Sequence, residues 1–244
     1  MSEEKGIALV TGGSGGIGAA CCRALGESGF KVAIHYNRGK ELAEKLSSEI
    51  PGSFLIQADI STVEGMDSIY DLLKKEHGGN IEVLVNNAGV ALDNPIFNAT
   101  LDEFQKTMDI NLRSTWYLTK RLVRFMIRRR KGRVINISSV VGSAGNAAQS
   151  VYGMSKAAIN NFTKSASKEF AQYGILVNSV APGFIKTSMT ETIPEEFAEI
   201  FMKAIPLERM GNPEEVAEMV QFLATKGSYC TGAVFHVNGG MYGG

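Results

Sequence analysis

Short apolar runs alternate with amphipathic stretches along this chain of 244 residues, and no other feature of the sequence restricts its fold so strongly. The runs are apolar almost throughout, as strands must be when both faces of a parallel sheet are covered. The predicted strands are 7–10, 31–35, 54–57, 83–85, 133–137, 175–180 and 233–237, and the predicted helices are 17–29, 41–50, 63–76, 101–130, 151–172 and 213–224. Strict alternation implies right-handed crossovers, so the sequence predicts one α/β domain over residues 1–244. Its core would be a doubly wound, seven-stranded parallel sheet with helices on both faces.

The charges of the chain are balanced. Lysine plus arginine number 25 and aspartate plus glutamate number 25, so the formal net charge is zero. Such a chain lacks the basic surface on which sequence-independent nucleic-acid binding depends. The acidic start, Met1–Lys5, differs from a secretory signal, and no segment approaches the ~20 apolar residues that cross a bilayer. We therefore expect a cytoplasmic protein that binds neither nucleic acid nor membrane.

The cysteines and histidines lack the spacing of a metal site. They are Cys21, Cys22, Cys230, His35, His77 and His236. Adjacent cysteines are poor disulfide partners, and each of the scattered histidines is expected to be structural. The sequence therefore predicts a protein of a reducing compartment, without a metal.

A glycine-rich segment, Thr11–Gly18, joins the first predicted strand to the first predicted helix, the context in which such a motif indicates dinucleotide binding. Gly12 would allow the tight turn, Gly16 would let the backbone approach a pyrophosphate, and Gly18 would let helix and strand pack closely. The helix N-terminus would supply N–H groups to the phosphates. The candidate residues are Gly12, Ser14, Gly15, Gly16, Ile17 and Gly18. The alternative is a glycine-rich turn without a ligand.

The end of the second strand, His35–Lys40, bears on which nicotinamide cofactor binds. It contains no carboxylate to hold a ribose 2′-hydroxyl, whereas Arg38 can pair with a 2′-phosphate. This pattern favours NADP(H). In the alternative interpretation, Arg38 and Lys40 are solvated charges at a helix start.

Three tyrosines each precede a lysine by four residues, a spacing that places both groups on one face of a helix. A nearby ammonium favours the phenolate, which makes such a pair a candidate proton donor and acceptor. The pairs are Tyr36–Lys40, Tyr70–Lys74 and Tyr152–Lys156. The first spans a strand end, and the second is expected to be exposed. Only the third lies at the carboxyl ends of the strands, just after Ser138 and Ser139, where open α/β sheets bind ligands.

Taken together, these motifs resemble the ordered motif set of the short-chain dehydrogenase/reductase family. The motifs are residues 11–18 (TGGSGGIG), 86–89 (NNAG), Asn111, Ser139, 152–156 (YGMSK), 182–183 (PG) and 237–240 (VNGG), so the resemblance covers the whole chain. It implies a Rossmann fold and an oxidoreductase. The segments 139–146, 181–190 and 236–241 are most similar to members that reduce 3-oxoacyl thioesters on acyl carrier protein with NADPH, in fatty acid synthesis.

The resemblance also implies roles for individual residues. Tyr152 would protonate the carbonyl oxygen, Lys156 would lower the tyrosine pKa and hold the nicotinamide ribose, and Ser139 would orient the carbonyl. Asn111 would hold a water that links Lys156 to solvent, or else only kink the helix. The further cofactor residues would be Arg38, Asp59, Ile60, Asn87, Ala88, Gly89, Tyr152, Lys156, Pro182, Gly183, Ile185 and Thr187. For 86–89 the alternative is a strand-terminating turn.

Some features leave the substrate and partners open. Gly15 and Tyr173 stand where related chains often carry arginine. The cationic run Arg128, Arg129, Arg130 and Lys131 fits docking of an acidic carrier and pairing with a helix C-terminus equally well. Alternative functions are an acetoacetyl-coenzyme A reductase, an NAD(P)-linked dehydrogenase of another secondary alcohol, and a cofactor-bound scaffold. We expect a substrate lid at about 186–204 and, by analogy, a homotetramer formed through helices 101–130 and 151–172.

Overall fold

A computed structural model describes residues 5–188, 190 and 202–243 of the chain. Seven parallel strands form one sheet in the order β3-β2-β1-β4-β5-β6-β7. The strands are β1 (Ile7–Val10), β2 (Lys31–Tyr36), β3 (Phe54–Gln57), β4 (Ile81–Asn86), β5 (Gly132–Ile137), β6 (Ile175–Pro182) and β7 (Val234–Val237). The predicted α/β fold with a doubly wound, seven-stranded parallel sheet is confirmed.

Helices cover both faces of the sheet. In the described residues they are α1 (Gly16–Glu27), α2 (Lys40–Glu49), α3 (Val63–His77), α4 (Leu101–Thr107), α5 (Ser114–Arg129), α6 (Val141–Ala144), α7 (Ser150–Phe170) and α8 (Pro213–Thr225). Alternate residues of β1 explain the two layers: Ala8 and Val10 pack with α1, α2 and α8, whereas Ile7 and Leu9 pack with α3, α5 and α7. The strands are therefore buried on both faces.

The predicted helical stretch over 101–130 is confirmed, and within it a π-helical turn at Met108–Arg113 separates α4 from α5. Hydroxyl groups accompany this turn. Ser114 Oγ donates to the carbonyl of Ile110, and Thr115 Oγ1 donates to the carbonyl of Asn111 at 2.8 Å. Such side-chain bonds offer helical carbonyls an alternative partner. The π turn carries Asn111, which is fully buried.

A buried polar ladder fastens α5 and α7 to the middle of the sheet. Asn86 and Asn136 are register partners on β4 and β5, and Asn86 Nδ2 donates to Asn136 Oδ1 at 2.9 Å and to Thr119 Oγ1 at 3.1 Å. Asn136 Nδ2 then donates to Thr163 Oγ1 on α7 at 2.9 Å, and the Thr163 hydroxyl contacts Ser179 Oγ on β6 at 2.7 Å. Because buried polar groups need these partners, the ladder determines where both helices lie on the sheet.

The structure separates the three tyrosine–lysine pairs. Lys40 is exposed and pairs with Glu44 rather than with Tyr36, which is buried on β2. The expectation that Tyr70 is exposed is wrong, because its ring stacks on Phe125 with centroids 4.9 Å apart. Only Tyr152 and Lys156 lie together on one helix at the carboxyl ends of the strands.

Two other expectations concern the predicted substrate lid and the absence of a membrane span. Of the predicted lid at 186–204, residues 189 and 191–201 lie outside the described residues. Among the helices of the described residues, none combines the length and apolar character that a membrane crossing requires.

Candidate active site

A cleft of about 400 Å³ opens at the carboxyl ends of the central strands, where the strand order reverses around β1 and β4. All sequence-predicted site residues line this cleft except Ser14, Arg38 and Asn111. The topology explains their convergence, because the carboxyl ends of parallel strands meet at one edge of the sheet.

The glycine turn has the geometry that the sequence predicts. Gly12 (φ +61°) and Gly16 (φ +51°) adopt left-handed conformations that disfavour other residues. A Cβ at Gly18 would lie 2.1 Å from the carbonyl oxygen of Gly12, so only glycine lets α1 start so close to β1. Gly15 differs, since a Cβ there meets nothing within 4 Å. The N-terminus of α1 is therefore open to the cleft and fits a pyrophosphate.

The loop after β4 is tied directly to this turn. The backbone N–H groups of Asn87 and Ala88 donate to Thr11 Oγ1 at 3.0 and 3.1 Å. Asn87 Nδ2 donates in turn to the carbonyls of Thr11 and Gly12 at 2.9 and 3.1 Å. These bonds engage both amide hydrogens of Asn87, so its side chain is structural as well as part of the cleft wall.

The wall formed by the end of β3 carries Asp59. Its carboxylate accepts hydrogen bonds from Ser61 N at 2.9 Å and from Ser61 Oγ at 2.7 Å. These bonds, with a smaller contribution from the Arg38 charge, hold the pKa of Asp59 below its ordinary value. The exposed Arg38 therefore lies within electrostatic reach of this wall, although it does not line the cleft itself.

Tyr152, Lys156 and Ser139 meet on the floor of the cleft. Lys156 Nζ lies 5.5 Å from the centre of the Tyr152 ring and donates to the carbonyl of Ile137 at 2.8 Å. Ser139 Oγ accepts from the backbone N–H of Val141 at 3.2 Å. The Ser139 hydroxyl hydrogen is consequently available to a phenol or a carbonyl oxygen.

Burial controls the ionisation of this pair. It lowers the pKa of Lys156 to about 8. It also raises the pKa of Tyr152 above its ordinary value, against a lowering hydrogen bond with Ser139 and together with the charge of Asp93. Desolvation of the phenolate therefore outweighs the hydrogen bond from Ser139, and the lowering of the tyrosine pKa by Lys156 stays a prediction.

Asn111 lies behind the cleft and supports it. Its Nδ2 donates to the carbonyl of Val90 at 2.9 Å and to Ser155 Oγ at 3.1 Å, and its Oδ1 accepts from Val90 N at 2.8 Å. A Cβ at Gly89 would lie 3.2 Å from Asn111 Oδ1 and 3.5 Å from Lys156 Nζ. Asn111 and Lys156 therefore flank the same glycine.

The sequence did not indicate two further features, one in loops outside the cleft lining and one in the cleft itself. One is a clasp between two loops: Gln149 Nε2 donates to Asp93 Oδ2 at 2.7 Å, and Asn94 N donates to the carbonyl of Ala148, a residue with φ +61°, at 2.8 Å. The other is His35, which lines the cleft although it was expected to be only structural. Neither feature follows a local spacing, so only the fold brings the partners together.

A glycine turn at the first crossover and a tyrosine–lysine pair beside the same cleft define the class of dinucleotide-dependent oxidoreductases. A family model described as enoyl-(acyl carrier protein) reductase matches residues 12–242. The chain is 41% identical over 240 residues to the 3-oxoacyl-[acyl-carrier-protein] reductase FabG of Staphylococcus aureus, covering 96% of this chain and 97% of the relative. It is 39% identical over 246 residues to FabG of Vibrio cholerae, with 99% of each chain covered. A Synechocystis 3-oxoacyl-[acyl-carrier-protein] reductase is 40% identical over 241 residues, with 96% of each chain covered.

The chain therefore belongs to the short-chain dehydrogenase/reductase family. It is an oxidoreductase of that family, and a nicotinamide dinucleotide is the cofactor that the family implies.

The two glycines at the start of α1 provide a matched test of the phosphate turn. We expect Gly18→Ala to weaken dinucleotide binding by about tenfold or more and to cost about 1–3 kcal/mol of unfolding free energy, because its Cβ meets the Gly12 carbonyl oxygen. Gly15→Ala, whose Cβ meets no protein atom within 4 Å, should leave the unfolding free energy unchanged. Titration with cofactor and urea unfolding measure both. Equal behaviour of the two variants would contradict the assigned geometry.

The buried Lys156 makes a prediction about stability and pH. Its native pKa of about 8 lies below the ordinary lysine value of 10.5, so the folded state bears the cost of a buried ammonium below pH 8. Between pH 8 and 10.5 the native state releases the proton first, and this group makes stability rise with pH. We expect Lys156→Met to raise the unfolding free energy at pH 7 by up to about 3 kcal/mol and to remove this rise. Urea unfolding at several pH values measures it, and an unchanged pH dependence would contradict it.

Proposed function

We propose that the protein reduces a 3-oxoacyl thioester on acyl carrier protein to the 3-hydroxyacyl thioester with NADPH, in fatty acid synthesis. The observation that carries this proposal is the meeting of Ser139, Tyr152 and Lys156 at one cleft floor beside the glycine turn. The activity for which the relatives are named supports the choice of substrate, because they align with this chain over nearly its whole length.

In this proposal the bound cofactor supplies a hydride, and the chain positions the substrate and moves the proton. Ser139 donates a hydrogen bond to the substrate carbonyl and steadies the negative charge that develops on its oxygen. Tyr152 gives its proton to that oxygen. Its raised pKa suits this direction, because the phenol stays protonated at neutral pH and acts as an acid.

Lys156 and Asn111 would support the same proton transfer without contacting the substrate carbonyl. Lys156 Nζ keeps one hydrogen bond to Ile137 and has further hydrogens for a cofactor ribose hydroxyl. Asn111 positions Val90 and also Ser155, whose hydroxyl donates to the carbonyl of Tyr152 at 2.7 Å. One lone pair of Asn111 Oδ1 remains for a water beside Lys156, the proton route that we propose.

We also propose that the remaining predicted residues hold the cofactor. Gly12 to Gly18 would receive the pyrophosphate, and Ser14 would border it. Asp59, Ile60 and the 87–89 loop would contact the adenosine half. Pro182, Gly183, Ile185 and Thr187 would contact the nicotinamide half, and a Cβ at Gly16 would lie 3.1 Å from Thr187 Cγ2, so the two groups of residues adjoin.

The proposed carrier site requires more than one chain. The cations Arg128 to Lys131 end α5, whose 16 residues span about 24 Å away from Asn111 and the cleft. Some of these cations have local partners: Arg130 Nη2 donates to the carbonyl of Gln172 at 2.7 Å, and Lys131 pairs with Glu82 at 3.4 Å. Carrier docking at these cations therefore depends on the proposed homotetramer. In it, the cations of one chain would bind the carrier whose acyl group enters the cleft of another chain.

Exposed apolar side chains at α4 and at the start of α5 support an interface between copies of the chain. Around α4, Ile96, Phe97 and Leu101 are 75%, 84% and 85% exposed, and Trp116 on α5 is 46% exposed. Large exposed apolar side chains commonly mark protein–protein contact where they form a patch. We propose that it packs against a second copy of the chain.

Initial rates with NADPH and NADH against acetoacetyl-carrier, acetoacetyl-coenzyme A, a 2-enoyl thioester and a simple ketone test the function. We expect kcat/KM to be highest for the carrier thioester with NADPH. We expect Tyr152→Phe to lower kcat by about 10²–10⁴-fold, since the proton donor is lost, while the Kd for NADPH changes little.

Each alternative gives a distinct result. Preference for the coenzyme A thioester indicates an acetoacetyl-coenzyme A reductase, and activity confined to NADH and the ketone indicates another alcohol dehydrogenase. No turnover with retained cofactor binding indicates a scaffold. Normal turnover of Tyr152→Phe would contradict the mechanism.

Arg38 should determine the cofactor preference. We expect Arg38→Asp to raise the KM for NADPH by about tenfold or more, because it replaces a partner of the 2′-phosphate with a repelling charge. The KM for NADH should stay within about threefold of the parent value. Lys40→Asp is the matched control, since Lys40 is already paired with Glu44 at 3.6 Å. A greater effect at Lys40 than at Arg38 would overturn the assignment.

A further inference from the structure

His35 occupies an unusual place in the cleft, between the glycine turn and the end of β3. The residue lies on β2 and is 1% exposed. Its Nδ1 accepts a hydrogen bond from the backbone N–H of Gly12 at 3.1 Å, and its Nε2 lies 3.1 Å from the carbonyl oxygen of Ala58. Its own carbonyl accepts from the N–H of Gly13 at 2.8 Å. One residue thus holds both N–H groups at the start of the turn.

These contacts allow only one state of the ring. A backbone N–H can only donate and a carbonyl can only accept, so Nδ1 must be unprotonated and Nε2 must carry the hydrogen. A protonated ring would direct an N–H at the N–H of Gly12. Burial holds the pKa of His35 at about 4, against the bond to Ala58 and the charge of Asp59, so the ring is neutral at physiological pH.

The two groups that His35 joins belong to different walls of the cleft. Gly12 begins the phosphate turn, and Ala58 immediately precedes Asp59 and Ile60, which line the cleft at the end of β3. The dinucleotide that the family uses has a pyrophosphate and an adenosine half, which need both walls at a set separation.

We propose that His35 is a positioning residue for the cofactor, whose imidazole holds the phosphate turn against the adenosine wall. This inference rests on the proposed placement of the cofactor in the cleft. His35 does not touch the reacting atoms, so it affects the affinity for the dinucleotide and leaves the chemical step unchanged. It extends the cofactor site to a residue that no glycine or acidic motif marks.

Two amide variants separate the two side-chain bonds. In His35→Asn, the shorter side chain can place Oδ1 near the position of Nδ1 and keep the Gly12 bond. In His35→Gln, the longer side chain can place its NH₂ group near Nε2 and keep only the Ala58 bond. His77→Asn is the control, because His77 stacks on Phe54 with centroids 4.1 Å apart and does not line the cleft.

The experiment measures the Kd for NADPH and for NADH by cofactor fluorescence, together with kcat at saturating cofactor and thermal unfolding. We expect His35→Asn and His35→Gln, each of which breaks the bridge at one end, to weaken both cofactors by about tenfold, one lost hydrogen bond, while His77→Asn stays within about threefold of the parent. The value of kcat should not change in any variant. Competition by adenosine 2′,5′-bisphosphate, an adenosine-half ligand, should weaken in parallel in His35→Gln.

The outcomes distinguish this inference from the function on which it rests. A parent chain that binds neither dinucleotide refutes the proposed function. A parent that binds, with a folded His35→Gln variant of unchanged Kd, overturns the inference. A folded His35→Asn variant with the parent Kd also overturns it, because the bond to Ala58 would then not be needed to hold the two walls together. If His35→Gln does not fold while His35→Asn does, His35 is a folding residue and the proposal fails.

Discussion

The close contact between the glycine turn and the loop after β4 is the constraint on which the cleft depends. The parallel register of β1 and β4 brings Val10 opposite Val85, so the segments that follow these two strands leave the sheet side by side. Thr11 and Asn87 then bind each other's backbone, and Gly18 must lack a side chain for α1 to begin there. A binding site thus forms where two crossovers leave the sheet in opposite directions.

Burial of the ionisable groups in the site lowers the stability of the folded state whenever they are charged. Lys156 is 4% exposed and Tyr152 lies beside it, so burial disfavours the charged form of each group. The chain compensates only partly, with the carbonyl of Ile137 and the hydroxyl of Ser139. Such perturbed groups in a cleft are typical of functional sites, where stability is given up for chemistry.

Most of the fold and much of the site could be predicted because their signals are local. Apolar runs indicated all seven strands, and the positions of glycines anticipated the turn that the structure shows at Gly12 and Gly18. The π turn at Met108–Arg113 was missed, since an apolar period over thirty residues does not reveal where a helix widens. The clasp between Asp93 and Gln149 was missed because its partners are far apart in sequence and follow no motif.

By itself, the sequence determined the order of elements, the position of the glycine turn and which tyrosine–lysine pair would stand at the carboxyl ends of the strands. Each of these depends on spacing within a few residues of the chain. The tertiary structure decided what surrounds those residues: the burial that sets the pKa of Tyr152, and the position of His35 between Gly12 and Ala58. Desolvation and long-range hydrogen bonds arise only when distant segments pack, so no local pattern could report them.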